Sequence, residues 1–316
     1  MTRCSLSTGV NRRQFLSRTL TTVGAAAAGL SVPLSWARAE SDAKSPFKYA
    51  VCNETFVDWP LEKAFRFAAE CGYRGIEIAP FTVAPLVTDV SARRRTEVRR
   101  MVEAAGLEVV GLHWLLAKTQ GFHLTTDDAD VRRRTADYLG ELARFCADLG
   151  GRIMVLGSPA QRNLAPHLSK AEGMKRAAGV LQAAVPMLEK TQVTMAIEPL
   201  AAVETNFLMT AADGVELAKL VDSPRCRLHL DCKAMAGEAA PIPEIIHKYR
   251  EWLVHFHAND PNRQGPGFGK LDFVPILKAL QDVDYRGWVS VEVLDYTPGP
   301  ERLARDSISY LRKCER

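Results

Sequence analysis

The stretch from Arg227 to Asn259, RLHLDCKAMAGEAAPIPEIIHKYREWLVHFHAN, carries the reading of the fold. It opens on a short apolar run closing in Asp231-Cys232, passes through an amphipathic pattern at 242–249, and returns as a second short apolar run at 253–259. Runs of four to eight residues rich in β-branched or large apolar types suit buried strands, and a helical pattern between two of them suits a βαβ unit. Outward from this unit the same alternation recurs. Strand candidates lie at 48–52, 75–79, 108–114, 152–158, 194–199, 227–232, 253–259 and 288–293. Helical patterns lie at 61–71, 91–105, 129–149, 170–190, 211–220, 242–249, 273–281 and 301–312. Gly72, Gly106 and Gly150-Gly151 fall where helices should stop, and Thr210 to Asp213 has the shape of a capping box with Asp in place of Glu. Eight repeats with short connections imply a parallel sheet with covered faces. A mature length of about 275 residues favours a single-domain α/β fold, a closed (β/α)8 barrel at 47–316, over an open doubly wound sheet.

The chain has 316 residues, 47% hydrophobic and 25% charged, which excludes disordered and fibrous classes. Residues 1–39 carry five arginines (Arg3, Arg12, Arg13, Arg18, Arg38) and no acidic side chain. Arg12-Arg13 is followed by Phe15-Leu16, then by a moderately apolar run at 20–34. This pattern resembles a twin-arginine export signal, and Ala37-Arg38-Ala39 offers the small residues a signal peptidase needs. Cleavage after Ala39, a linker at 40–46 and a periplasmic or secreted location are expected. Gly24, Gly29, Ser31 and Pro33 interrupt the apolar run, which is short for a spanning helix, so no lasting membrane association is expected. Without the leader's five arginines, 36 basic residues face 37 acidic ones, so the pI near 8.7 belongs to the leader and a nucleic-acid footprint is lacking.

Six cysteines remain past Cys4, with no CxxC or zinc-finger spacing, and most read as small buried apolar residues. No GxGxxG, GxxxxGK[ST] or GxSxG stands where its structural context would require it. The glycine-rich segment 265–270 follows strand seven as a loop and opens no helix.

Active sites of such barrels lie at the C-terminal ends of the strands, so polar residues closing an apolar strand are the ones to suspect. Strand five closes in Met-Ala-Ile-Glu198-Pro, strand six in His-Leu-Asp231, strand seven in His255-Phe-His257 and strand eight in Val-Ser-Val-Glu292. Three carboxylates and one imidazole make an oxygen-rich set suited to one divalent metal ion, Mn²⁺ foremost, or Mg²⁺ or Co²⁺, and not to a structural zinc. Singly, each carboxylate could cap a helix or pair with an arginine; four on consecutive strands point to a metal site. His229 and His255 share the inward parity of Asp231 and His257 and read as core or supporting residues.

Here the sequence resembles the xylose-isomerase-like TIM barrels grouped as sugar phosphate isomerases/epimerases, and within them the D-tagatose/D-psicose 3-epimerases. The residues that carry the resemblance are Ile197-Glu198-Pro199-Leu200, Glu204-Thr205-Asn206-Phe207-Leu208, Leu230-Asp231, His255-Phe256-His257 with Asn262-Arg263 and Pro266-Gly267, and Val291-Glu292. The resemblance implies Glu198, Asp231, His257 and Glu292 as metal ligands, with Glu198 and Glu292 doubling as the catalytic acid/base pair. It also implies substrate contact by Glu204 and Arg263, and allows association as a homo-oligomer. One position departs: the family usually has His three residues after the strand-six Asp, and Ala234 stands there. Lys233 beside it reads as a solvated loop lysine, with a polar contact to substrate as the alternative.

The implied chemistry is proton abstraction next to a carbonyl of a small carbohydrate substrate through a metal-stabilised enediolate, with epimerisation if the proton returns to the opposite face. Return to the neighbouring carbon would be isomerisation, and loss of a β-substituent would be elimination. The competing readings are a lyase or hydrolase of 3-keto-glycosides on the same metal, a non-catalytic carbohydrate-binding barrel, and an endonuclease-IV-like enzyme. The last is disfavoured by the near-neutral mature charge and the single ligand set. Further candidates for substrate contact are His113, Trp114 and Glu54, with Gly157-Ser158-Pro159 and Arg162 shaping the rim.

Overall fold

Glycine at position 111 is where two strands approach too closely for any side chain. An added Cβ would lie 1.9 Å from the Ile153 carbonyl oxygen of the next strand. The protein is seen here as a computed structural model in which residues 45–315 are described. The expected leader at 1–39, and the linker up to residue 44, lie outside the described residues. Eight parallel strands close into a barrel in sequence order: β1 Lys48–Cys52, β2 Gly75–Ile78, β3 Glu108–Leu112, β4 Ile153–Leu156, β5 Thr194–Ile197, β6 Cys226–Asp231, β7 Leu253–Ala258 and β8 Trp288–Val291. Each is followed by its helix: α1 Leu61–Cys71, α2 Ala92–Ala104, α3 Ala129–Leu149, α4 Lys170–Thr191, α5 Ala211–Val221, α6 Ile242–Tyr249, α7 Val274–Asp282 and α8 Pro300–Cys314. The expected (β/α)8 barrel is the observed fold.

Local chemistry explains where the helices begin and end. The side chains of Ser91, Asp128 and Ser169 accept first-turn N–H bonds at the starts of α2, α3 and α4, satisfying donors that lack intrahelical partners. The Thr210/Asp213 capping box at α5 is formed in both directions. Gly72 (φ 99°) and Gly150 (φ 95°) end α1 and α3 in the left-handed region that glycine enters without strain. Several strands stop before their sequence-predicted ends, because the chain turns away at 113–114, 157–158 and 198–199 to form the barrel mouth, with the His113 and Glu198 N–H groups making the last bonds to the neighbouring strands. Trp114 turns at φ 53°, and Pro199 has no N–H to donate.

Apolar burial lies largely between strands and helices, with Phe65, Leu112, Leu139, Leu181, Ile246 and Leu311 essentially inaccessible. The ring is closed by pairing of β1 with β8, and residues 45–49 meet Glu315 there: Ser45 Oγ and the Tyr49 hydroxyl both donate to Glu315 Oε1, at 3.0 and 2.6 Å. The six described cysteines are free, all buried except half-buried Cys71. Among the described residues no helix is long and apolar enough to cross a membrane.

Two glycine substitutions test this packing. Gly111→Ala should cost about 1–3 kcal/mol by forcing β3 from β4. Gly179→Ala, on the exposed side of α4 with nothing within 4 Å of the new methyl, should stabilise by about 0.5–1 kcal/mol. Urea unfolding of both variants reads the difference, and equal effects would contradict the steric account.

Candidate metal centre

The strand ends bring the four sequence-predicted ligands together. Asp231 is the last residue of β6 and pairs in register with His257 of β7. Glu198 and Glu292 stand one residue beyond β5 and β8, and their N–H groups still donate to the neighbouring strands at Leu156 (3.3 Å) and Ala258 (3.4 Å). Ligand atoms of Glu198, Asp231 and His257, with one from His229, lie within 4.8 Å of one another. Glu292 Oε2 is 3.3 Å from His257 Nδ1. Asn259 Nδ2 donates to Asp231 Oδ2 at 2.6 Å and to Glu292 Oε2 at 3.4 Å, tying two carboxylates into one cluster.

Two backbone features aim Glu198. A Cβ on Gly157 would lie 1.5 Å from Glu198 Oε2, so the carboxylate occupies the space that any other residue at 157 would fill. Arg162, fully buried, donates from Nη1 to the Glu198 carbonyl at 2.6 Å and from Nη2 to the Leu156 carbonyl. Arg162 was read from sequence as a rim residue; it is instead an internal clamp across the ends of β4 and β5.

The electrostatics of the cluster suit a bound cation. Burial, then repulsion by Glu292 and Asp231, pushes the Glu198 carboxyl well above its ordinary range. Burial likewise raises Asp231. Burial alone would raise Glu292 too, but the His257 imidazolium outweighs it and holds Glu292 down at about 2. Glu198, Asp231 and Glu292 bring three buried carboxylates to one point, a crowding of like charge that a dication would relieve. His257 is prepared as a ligand: its Nε2 faces Glu77 Oε2 at 3.2 Å, while its buried Nδ1 makes no hydrogen bond and faces the carboxylates. A carboxylate behind a ligating imidazole fixes ring orientation and raises ligand basicity. The residues present therefore suit a hard divalent ion.

A cavity of about 330 Å³ opens above this cluster, lined by Glu198, Glu292, Trp114, Glu204, Lys233 and Arg263 among others. Trp114 Nε1 donates to Glu292 Oε1 at 2.9 Å. Arg263 is exposed at the rim with φ 72°. Glu204 Oε2 accepts from Lys233 Nζ at 2.5 Å. Lys233 is not the solvated loop lysine expected, since its side chain is only 9% exposed. His113 and Glu54 do not line the cavity; they are buried and hydrogen-bonded to each other through His113 Nε2 and Glu54 Oε2. Sequence reasoning missed Glu77 and Asn259. A lone carboxylate inside the apolar strand Gly-Ile-Glu-Ile was the available signal for Glu77, because a buried charge demands a partner.

Two measurements follow from this arrangement. Glu77→Gln should weaken Mn²⁺ binding by roughly 10- to 100-fold with the melting temperature of the metal-free protein as control; unchanged affinity would remove Glu77 from the account. Because Glu198 and Asp231 are held above their ordinary values, protons compete with a cation for them. Mn²⁺ binding should release protons, and affinity should fall as pH is lowered. Calorimetry in buffers of different ionisation enthalpy detects the release.

Comparison with known proteins places this geometry in context. The model of the family described as xylose isomerase-like TIM barrel matches residues 65–314. A protein of Synechocystis sp. named as a probable ketose 3-epimerase is 29% identical over 274 residues, covering 80% of this chain and 90% of that one. A D-psicose 3-epimerase crystallised in the presence of D-fructose superposes with a TM-score of 0.74 at 20% identity, over 85% of this chain and 99% of that one. The apo 3-keto-D-glucoside 4-epimerase of E. coli gives a TM-score of 0.73 at 22% identity, over 85% and 100% of the two chains. With most of its length matched by the family model, this chain belongs to the xylose isomerase-like TIM barrel family.

Proposed function

We propose that the protein is a divalent-metal-dependent sugar epimerase that inverts a carbon next to the carbonyl of a ketose or keto-sugar. The observation that carries this reading is that Glu198 and Glu292 line one cavity from strands β5 and β8, three places apart around the barrel, while joined to Asp231 and His257. The name of the Synechocystis relative supports the same reading. Glu198, Asp231, His257 and Glu292 would hold the ion; Mn²⁺ is the first choice and Mg²⁺ or Co²⁺ the alternatives. When bound, such an ion supplies electrophilic stabilisation for negative charge developing on substrate oxygens.

The remaining work falls to the chain's own groups. One carboxylate of the Glu198/Glu292 pair takes the proton from the carbon beside the carbonyl, leaving an enediolate, and the other returns a proton to the opposite face. Trp114 donates to Glu292 Oε1 while Asn259 Nδ2 and His257 Nδ1 face Oε2, so the Glu292 carboxylate is held in one orientation at the cavity. The apolar wall of Trp114, Leu200 and Leu294 limits the access of water to the carbanionic species. The 3-keto-D-glucoside 4-epimerase among the structural neighbours keeps 3-keto-glycosides, with epimerisation or elimination of the aglycone, as the second reading. We further propose export through the leader at 1–39, supported by Arg12-Arg13 and Ala37-Arg38-Ala39; Arg12→Lys with Arg13→Lys should leave the protein in the cytoplasm on cell fractionation.

Incubating the Mn²⁺-loaded protein in D2O with free ketoses and 3-keto-glycosides, followed by NMR, tests the chemistry. Deuterium should enter at one carbon with the skeleton retained, Glu292→Gln should slow this by at least about 100-fold, and chelation should abolish it until Mn²⁺ is restored. Release of an aglycone would replace epimerisation by elimination, and no exchange on any substrate would refute both.

A further inference from the structure

Lys233 occupies the helical turn Cys232–Met235, two residues past Asp231. The turn is held from two sides: the Lys233 N–H donates to Asn259 Oδ1 at 2.9 Å, and Asp231 Oδ1 accepts from the Ala234 N–H at 2.8 Å. The lysine is thus presented to the cavity from a fixed base, and its ammonium reaches Glu204 Oε2 at 2.5 Å. An ammonium has three N–H donors, of which Glu204 takes one. With the side chain 9% exposed, bulk water reaches the others poorly, and enclosed donors need acceptors. A molecule filling the cavity that Lys233 lines can supply those acceptors.

Glu204 also lines the cavity, its side chain 25% exposed, and keeps an oxygen to accept a further hydrogen bond. Ammonium and carboxylate side by side form a neutral pair that donates to one oxygen and accepts from its neighbour. Two hydroxyls on adjacent carbons of a sugar match that pattern; a carboxylate or phosphate placed there would meet the charge of Glu204. We infer that Lys233 is a substrate-positioning and specificity-determining residue that, with Glu204, reads two neighbouring neutral oxygens of the sugar. This rests on the epimerase reading for the kind of molecule bound, but concerns binding and not the proton transfers.

The test uses the Mn²⁺-loaded protein with D-fructose, D-tagatose and D-fructose 6-phosphate, measured by calorimetry and, where turnover occurs, by steady-state kinetics. Lys233→Met should weaken binding of the neutral ketoses by roughly 10- to 100-fold. KM should rise with kcat little changed, as for an interaction made equally in ground and transition states. Lys233→Arg should recover most of the loss, while Mn²⁺ affinity and melting temperature stay at the wild-type level in both variants, separating a reading role from a structural one. The inference is overturned if Lys233→Met binds the ketoses as wild type does, if the phosphorylated ketose binds better than the neutral ones, or if wild type binds neither neutral ketose. Intact, Lys233-dependent binding without turnover or exchange would instead overturn the epimerase reading and leave Lys233 as a sugar-reading residue.

Discussion

A carboxylate at the axis of a closed barrel has no water to turn to, and Glu77 meets that constraint by facing two imidazoles. Its Oε1 lies 2.6 Å from His255 Nε2 and its Oε2 3.2 Å from His257 Nε2, all three side chains inaccessible to solvent. These contacts outweigh the cost of burial and hold Glu77 well below the ordinary carboxylate range. The arrangement pins the His257 ring and turns its other nitrogen toward the carboxylates at the mouth. The floor of the site is therefore fixed by a pairing that reaches across the barrel from β2 to β7.

Above that floor, the mouth gathers charge and strain together. Trp114, Lys118 and Arg263, all lining the cavity, adopt positive φ values of 53°, 61° and 72°. Non-glycine residues in this region cost about 1–3 kcal/mol each, and persist where surrounding contacts determine the backbone. Here those contacts are visible: the Arg263 carbonyl accepts from the Leu294 and Asp295 N–H groups at 2.8 and 2.9 Å, joining the loops after β7 and β8. Gly157 and Arg162 constrain Glu198 in the same way, one by leaving space and the other by gripping its carbonyl.

The repeat of short apolar runs and amphipathic runs was enough to recover all eight strands and their helices, because each is specified by local periodicity. The four ligands were legible for a related reason: each closes an apolar strand, and the barrel converts that linear position into a common location. Glu77 was not, since its partners lie 178 and 180 positions away and only the inward faces of β2 and β7 bring them together. Lys233 and Arg162 illustrate the opposite failure. A basic residue in a loop resembles a solvated one in sequence, and only the folded mouth encloses it. His113 and Glu54 were placed at strand ends correctly, but their mutual bond turns them inward, below the cavity.

The seam between β1 and β8 has a consequence for how the protein is made. Ladder bonds there join Lys48–Val51 to Trp288–Val291, and Ser45 and Tyr49 reach Glu315 near the end of α8. Synthesis delivers β1 well before β8, so until β8 emerges β1 presents one unpaired edge. Closure waits for β8 and α8 to leave the ribosome. Until then the open edge of β1 is a template for unwanted strand addition, which pairing with β8 removes.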